Sequence, residues 1–132
     1  MFNNGQKIVL ESDIATISDI SLTIAQGKVK DSNGNETMVD RLSKLDFVAK
    51  YVPVIKAVFV RIYGSTNVEM KTGYDYDIVN IVNRKPEAQT ALSINSSKNA
   101  MAAAKTAGVI SIRPFESIPK GYDIYIAGFW FV

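Results

Sequence analysis

Two carboxylates stand two residues apart in the segment YDYDIVNIV, the closest approach of this sequence to a reactive group. In an extended chain such residues point to the same face, so Asp75 and Asp77 together can hold a divalent cation or share acid and base roles. A metal site needs a third and a fourth converging ligand, and the sequence identifies none. We therefore predict that the pair belongs to a charged, solvent-facing side of a strand.

The sequence contains neither histidine nor cysteine. These absences exclude Ser–His–Asp and Cys–His catalysis, structural zinc sites, disulfides and histidine proton shuttles. None of the eight glycines forms a GxGxxG or GxxxxGK phosphate loop. We therefore predict a protein that is not an enzyme, that needs no metal or cofactor and that has no small-molecule substrate.

The segment DSNGNE, residues 31–36, has oxygen-bearing side chains at alternate positions, as a calcium loop does. The match fails because Glu36 stands where that loop requires glycine, and Leu42 where it requires a bidentate glutamate. The pair Asn33-Gly34 instead predicts a type I′ hairpin turn, which would fold residues 37–39 back against residues 28–30.

Aromatic residues make up 10% of the chain. On a surface they can stack against sugars or bases, but within strand patterns core packing is the commoner role. The candidates are Tyr51, Tyr63, Tyr74, Tyr76, Tyr122, Tyr125 and Trp130. We expect Lys56 and Arg61, which interrupt an apolar run, to reach the rim of a sheet with their stems packed on apolar neighbours. A carbohydrate- or nucleic-acid-binding β-module that uses surface aromatics is the alternative function.

The 15 basic and 13 acidic residues are scattered, and the formal net charge is +2. Nucleic-acid binders concentrate positive charge to displace counterions, so we do not expect a nucleic-acid partner. The N-terminus lacks a charged region followed by a sustained apolar run, and no stretch approaches the roughly 18 apolar residues of a membrane span. We expect neither a secretory signal peptide nor a membrane partner.

The run PVIKAVFVRIY, residues 53–63, organises the chain. Its β-branched and aromatic content predicts a strand covered on both faces, paired with residues 121–132, GYDIYIAGFWFV. Closely spaced strands and short turns predict a mainly β fold, an antiparallel β-sandwich or barrel. We expect a single domain over residues 1–132, in which residues 1–6 form a flexible N-terminal arm.

One or two short helices are also predicted, over about residues 40–52 and 97–107. In the first, apolar residues recur at spacings of three and four after a possible cap at Asp40, and a proline ends the pattern. In the second, Ser97 can cap an alanine-rich body and Gly108 suits the C′ position.

The segment 127–132, AGFWFV, contains no polar residue, and such a run forms an apolar patch when exposed. It is either a central strand of the sheet or a surface covered by another copy, and the sequence leaves both possibilities open. The alanine-rich segment lacks bulky side chains, so it must also pack closely, against either the sheet or a neighbouring subunit. The predicted interface residues are Phe129, Trp130, Phe131, Val132, Met101 and Ala104.

This strand-rich chain without cysteine or histidine, running from MFNNGQKIVL to IAGFWFV, resembles the small virion proteins of tailed bacteriophages: capsid-decorating, head–tail connector and tail accessory proteins. The resemblance is one of overall style and carries over no functional residue. It implies a non-catalytic structural protein that acts by self-association and by packing on neighbouring subunits. The expected partners are the protein itself and other structural proteins of an assembly, and the expected location is a virion assembled in the host cytoplasm.

Overall fold

The computed structural model describes residues 17–132, and these residues are predominantly β-strand. The strands are β1 (Ser18–Asp19), β2 (Leu22–Ile24), β3 (Gln26–Lys30), β4 (Glu36–Asp40), β5 (Leu42–Val52), β6 (Ala57–Thr66), β7 (Tyr76–Ile81), β8 (Thr90–Asn95), β9 (Ala100–Lys105), β10 (Val109–Pro114) and β11 (Asp123–Phe131). A short 3-10 helix, Pro53–Ile55, lies between β5 and β6. The helical residues of the described chain form no segment that is long and apolar enough to span a bilayer. The predicted arm, residues 1–6, lies outside the described residues.

Nine strands form one curled antiparallel sheet in the order β1-β5-β6-β11-β8-β9-β10-β7-β2, and β3 and β4 form a separate hairpin. The sheet turns a corner at β8, whose residues 90–92 pair with β9 while residues 93–95 pair with β11. The two edge strands, β1 and β2, are consecutive in the chain. β1 pairs with β5 at one edge of the sheet, and β2 pairs with β7 at the other. Strands that change partners in this way form the corners of sandwiches and barrels. The predicted mainly β, antiparallel fold is confirmed.

The inward side chains of the curled sheet form one hydrophobic cluster. Successive residues of a strand point to opposite faces, and in β11 this alternation buries Ile124, Ile126 and Trp130 and leaves the residues between them at the outer surface. The largest fully buried side chains are Trp130, Leu42, Met70, Ile78, Ile110, Ile112, Ile118, Ile124, Ile126, Val58, Val79 and Thr66.

The helix predicted over residues 40–52 is wrong, because residues 42–52 form β5 and pair with β6 along nearly its whole length. The apolar residues of this segment fit a helical period, but Lys44, Asp46 and Lys50 fall on alternate positions, as in a strand. An isolated helix of this length is marginal in water. Pairing with the apolar strand β6 therefore decides the structure.

The helix predicted over residues 97–107 is also wrong, since residues 100–105 form β9 between β8 and β10. Alanine favours helices by less than 1 kcal/mol per residue over most other types, and tertiary contacts readily override so small a preference. Here Ala102 and Ala104 are buried on the inner face of the sheet. Gly108, placed at a helix end from the sequence, has φ +89° in the tight turn between β9 and β10.

The organising strand differs from its prediction in length and in burial. Pro53–Ile55 forms the 3-10 helix and Lys56 adopts a left-handed φ of 52°, so β6 begins only at Ala57. Its predicted pairing with the C-terminal run is confirmed, because β6 and β11 pair from Ala57 to Ser65. The prediction that both faces are covered is wrong, since Phe59 and other outward residues of β6 are exposed.

The hairpin predicted around Asn33-Gly34 is confirmed in its pairing, because β3 and β4 are antiparallel neighbours. Its turn differs from type I′, since only Gly34 of the two residues has a positive φ, of 80°. The Asp31 carboxylate accepts hydrogen bonds of 2.9 Å from the backbone N–H groups of Asn33 and Asn35. Asp31, the first residue of the calcium-like pattern, thus stabilises its own turn, as aspartate commonly does.

Candidate functional site

The outward face of β6 and β11 carries five aromatic side chains that are exposed or partly exposed. They are Phe59, Tyr63, Tyr125, Phe129 and Phe131. Strand register arranges four of them as cross-strand pairs, with Tyr63 opposite Tyr125 and Phe59 opposite Phe129. The ring centroids are 4.7 Å apart in the tyrosine pair and 5.6 Å apart in the phenylalanine pair. Such pairs stabilise the sheet, and they also present apolar surface to solvent.

Beside the tyrosine pair lies a depression of about 530 Å³, which we call the tyrosine trough. Its outward-facing polar and aromatic side chains are Asp46, Arg61, Tyr63, Ser93, Asn95 and Tyr125. Ala127 also lines it and is the cross-strand partner of Arg61. The small alanine side chain stands between Tyr125 and Phe129 on β11, so the row of large residues is interrupted at the level of Arg61.

The charges around the trough are unevenly paired. Lys44 lies 3.4 Å from the Asp46 carboxylate and 4.6 Å from the centre of the Tyr63 ring. Arg61 makes no salt bridge with any residue from 17 to 132. We expected Arg61 at the rim of the sheet, but it lies in mid-strand, whereas Lys56 lies in the turn before β6. Arg61 thus lines the trough as a cation without a salt-bridge partner among residues 17–132.

The hydroxyl of Tyr63 is held in its neutral form. Desolvation, followed by the negative charge of Asp123, raises the pKa of Tyr63 above its ordinary value, and Lys44 acts in the opposite direction. Asp123 itself accepts a 2.8 Å hydrogen bond from the Ser65 hydroxyl. A hydrogen bond between the phenol and the Asp123 carboxylate also contributes to the raised pKa, so the phenol proton is directed toward Asp123.

A second group of exposed residues lies at the end of the sheet where β6 begins. We call Phe59, Phe129 and Phe131 the phenylalanine patch; the rings of Phe129 and Phe131 meet edge to face at 5.6 Å. Val54 and Ile55, in the 3-10 helix that precedes β6, are also exposed. The patch and this helix together place five exposed apolar side chains at one end of the sheet, next to Lys50 and Lys56.

The structure divides the predicted C-terminal interface residues between core and surface. Phe129 and Phe131 face outward, whereas Trp130 is fully buried and donates a 2.8 Å hydrogen bond from Nε1 to the backbone carbonyl of Arg84. Val132 is partly buried. The sequence left core and interface as alternatives, and strand alternation buries Trp130 while it leaves Phe129 and Phe131 exposed.

The two interface residues predicted on the alanine-rich segment lie on β9, away from the aromatic face. Met101 is exposed, but Ala104 is fully buried, opposite Thr90 of β8 and Ile110 of β10. Ala104 is therefore inaccessible to a partner, and its prediction as an interface residue is wrong. Its small size serves the packing inside the sheet.

Both carboxylates of the candidate pair, Asp75 and Asp77, accept hydrogen bonds from side chains of the same chain. Asp75 accepts a 2.7 Å hydrogen bond from Nε of Arg113 and a 3.0 Å bond from Nζ of Lys105. Asp77 accepts a hydrogen bond from the buried hydroxyl of Ser111. Residues 17–132 contain no cluster of three or more potential metal ligands. These contacts give both carboxylates a structural role between β7 and its neighbours.

Hydrogen bonds from Arg113, then from Lys105, hold the pKa of Asp75 below its ordinary value. A lowered folded-state pKa stabilises the protein above the unfolded-state pKa, and this contribution disappears as pH falls through the folded-state pKa. We therefore expect the wild type to lose more unfolding free energy than Asp75→Asn between neutral and acid pH. The difference should stay below about 1 kcal/mol, because the carboxylate is more than a third exposed.

Urea unfolding at a series of pH values measures this difference. Glu69→Gln is the matched control, because Glu69 is exposed and makes no salt bridge with another described residue. If Asp75→Asn and the wild type showed the same pH dependence, the ionic contacts of Asp75 would contribute nothing to stability.

Comparison with models of known protein families, with curated proteins and with solved structures yields no match for this chain.

Proposed function

We propose that this chain is a non-catalytic structural subunit that packs against copies of itself through the phenylalanine patch. The resemblance to small virion proteins of tailed bacteriophages suggests the kind of assembly: a capsid, head–tail connector or tail. The observation that carries the proposal is the exposure of Phe59, Phe129 and Phe131, which are 43%, 46% and 48% exposed on one face.

Three exposed phenylalanines in one cluster are costly in water. Fully burying one such side chain is worth roughly 1.5–3 kcal/mol, so a neighbour that covers the patch gains most of its binding energy there. Aromatic residues are enriched at the centre of protein interfaces, and charged residues are depleted. Val54 and Ile55 extend the apolar surface beyond the strands. An assembly contact explains why these residues are apolar although they lie outside the monomer's own core.

The solution mass of the protein tests this proposal. We expect the wild type to form oligomers at micromolar concentration in sedimentation velocity or light scattering, and the double variant Phe129→Ser, Phe131→Ser to sediment as a monomer. Phe115→Ser is the matched control, because Phe115 is exposed just after β10, outside the patch. This variant should keep the wild-type mass.

Circular dichroism of each variant verifies that the sheet has formed before masses are compared. A wild type that remains monomeric at high micromolar concentration would count against the proposal. So would a double variant that keeps the wild-type mass while folded.

A further inference from the structure

We propose that the tyrosine trough binds an acidic sugar, a ring that bears hydroxyl groups and a single carboxylate, with that carboxylate on Arg61. The trough adjoins the phenylalanine patch, because Arg61 and Val48 also line a depression beside Phe59 and Phe129, but the inference does not depend on self-association. It develops the alternative function expected from the aromatic content, because the trough is where two of those aromatic residues meet a cation.

The position and pairing of Arg61 indicate a negatively charged ligand. Arg61 lies in mid-strand on the outer face, beside the small Ala127, and no carboxylate from residues 17–132 forms a salt bridge with it. A guanidinium group presents donors in a planar fork that matches a carboxylate in bidentate geometry. The side chains of its neighbours Val48 and Ala127 are apolar and offer the guanidinium no competing hydrogen-bond acceptor.

The exposed ring of Tyr125 indicates that the ligand has a ring with an apolar face. Tyr63 and Tyr125 are stacked at 4.7 Å with planes inclined by 28°, and Lys44 lies over the Tyr63 ring, so the aromatic face that is open to a ligand is that of Tyr125. Tyrosine combines a large apolar face with a polar tip, which suits a ligand that has apolar C–H faces and polar edges. The hydroxyl of Tyr125 adds a polar tip beside that face.

The remaining polar side chains match hydroxyl groups better than a phosphate chain. Asp46 can only accept, Ser93 can donate and accept, and Asn95 offers both an acceptor and donors. Strong binding of nucleic acid needs several cations along the phosphate backbone, but the trough has one arginine and an acidic residue beside it. The volume of about 530 Å³ falls within the range of roughly 300–1,000 Å³ found for small-ligand sites.

Calorimetric titration of the full chain with glucuronate tests the inference, with glucose as the neutral counterpart and uridine monophosphate as the nucleotide counterpart. We expect saturable binding of glucuronate at millimolar concentration, at least about 10-fold tighter than binding of glucose, because a hydrogen-bonded charge is being recognised. Arg61→Gln should reduce the affinity for glucuronate to that for glucose. Tyr125→Ala should weaken the binding of both sugars.

Lys56→Gln is the control, because it removes one positive charge from the same strand region but outside the trough. It should bind glucuronate as the wild type does. Equal affinity for glucose and glucuronate, no saturable binding of glucuronate, or unchanged binding by Arg61→Gln would each overturn the inference. Tighter binding of uridine monophosphate would also overturn it, and would favour a nucleotide site.

The single variant Phe131→Ser separates this inference from the proposed function. Because Phe131 lies outside the trough and outside the depression that Arg61 shares with Phe59 and Phe129, its loss should weaken assembly but leave glucuronate binding within about 2- to 3-fold of the wild type, the usual scatter of such effects for surface changes away from a site. Assembly can therefore fail while sugar binding remains, and sugar binding can fail while assembly remains.

Discussion

Replacing Trp130 by alanine is expected to lower the unfolding free energy by about 3–5 kcal/mol, the usual range for truncating a large buried aromatic residue. Trp130 is fully buried in the core, and Nε1 is hydrogen-bonded to the carbonyl of Arg84. The alanine variant leaves a cavity and also deprives that carbonyl of its donor. For a domain of this size, such a loss removes a large part of the total stability.

Phe129→Ala is the matched control, because its side chain is adjacent in sequence but half exposed on the opposite face. We expect it to lose no more than about 1 kcal/mol, the value of a cross-strand aromatic pair. Urea unfolding of the two variants at low protein concentration measures both changes without a contribution from assembly. Equal losses in the two variants would mean that β11 is not held in this register, since a slip of one residue exchanges the two faces.

Replacing Ala104 by leucine is expected to destabilise the protein by about 1–3 kcal/mol, since overpacking forces neighbouring side chains or strands to move. Ala104 is fully buried on β9, with Thr90 and Ile110 as its partners on the two adjacent strands. The site has no solvent-exposed surface into which the added atoms could extend.

Ala103→Leu is the comparison, because Ala103 lies on the opposite face of the same strand and is partly exposed. We expect it to change the unfolding free energy by less than about 0.5 kcal/mol, as surface substitutions usually do. Thermal and urea unfolding of the two variants provide the measurement. If Ala103→Leu proved the more damaging, the inner and outer faces of β9 would have to be exchanged.

The main features of the fold were predictable because they depend on local chemistry. β-Branched and aromatic runs predict strands, and closely spaced turns predict antiparallel pairing, so the β class and the pairing of β6 with β11 were both expected. The Asn33-Gly34 signal located one hairpin correctly, although Asp31 determines its turn. The absence of histidine and cysteine excludes several chemistries whatever the fold.

The helices were mispredicted for a physical reason. The sequences of β5 and β9 are compatible with both helix and strand, because short apolar or alanine-rich segments carry no decisive periodicity. Their conformation depends on pairing with whole neighbouring strands, β6 for β5 and β8 and β10 for β9, which local propensity does not describe. A propensity of a few tenths of a kcal/mol per residue cannot outweigh a complete ladder of strand hydrogen bonds and a buried face.

For the candidate sites, too, the sequence indicates the residue types, whereas only the structure shows which of them lie together. Composition indicated that aromatic side chains would be prominent, and Tyr63, Tyr125 and the C-terminal phenylalanines were among the candidates. It did not indicate that Tyr63 and Tyr125 meet across the sheet, or that Arg61 stands beside the gap at Ala127. Those juxtapositions arise from strand register, which joins residues about sixty positions apart.

The sequence by itself determined the β class, the lack of histidine and thiol chemistry and the residue types available for recognition, because these follow from composition and local pattern. The tertiary structure decided that Asp75 is held by Arg113 and Lys105, and that Trp130 is core while its two neighbours are surface. The reason is that a strand has two faces, and only its pairing and register decide which of them meets the core and which meets solvent or a partner.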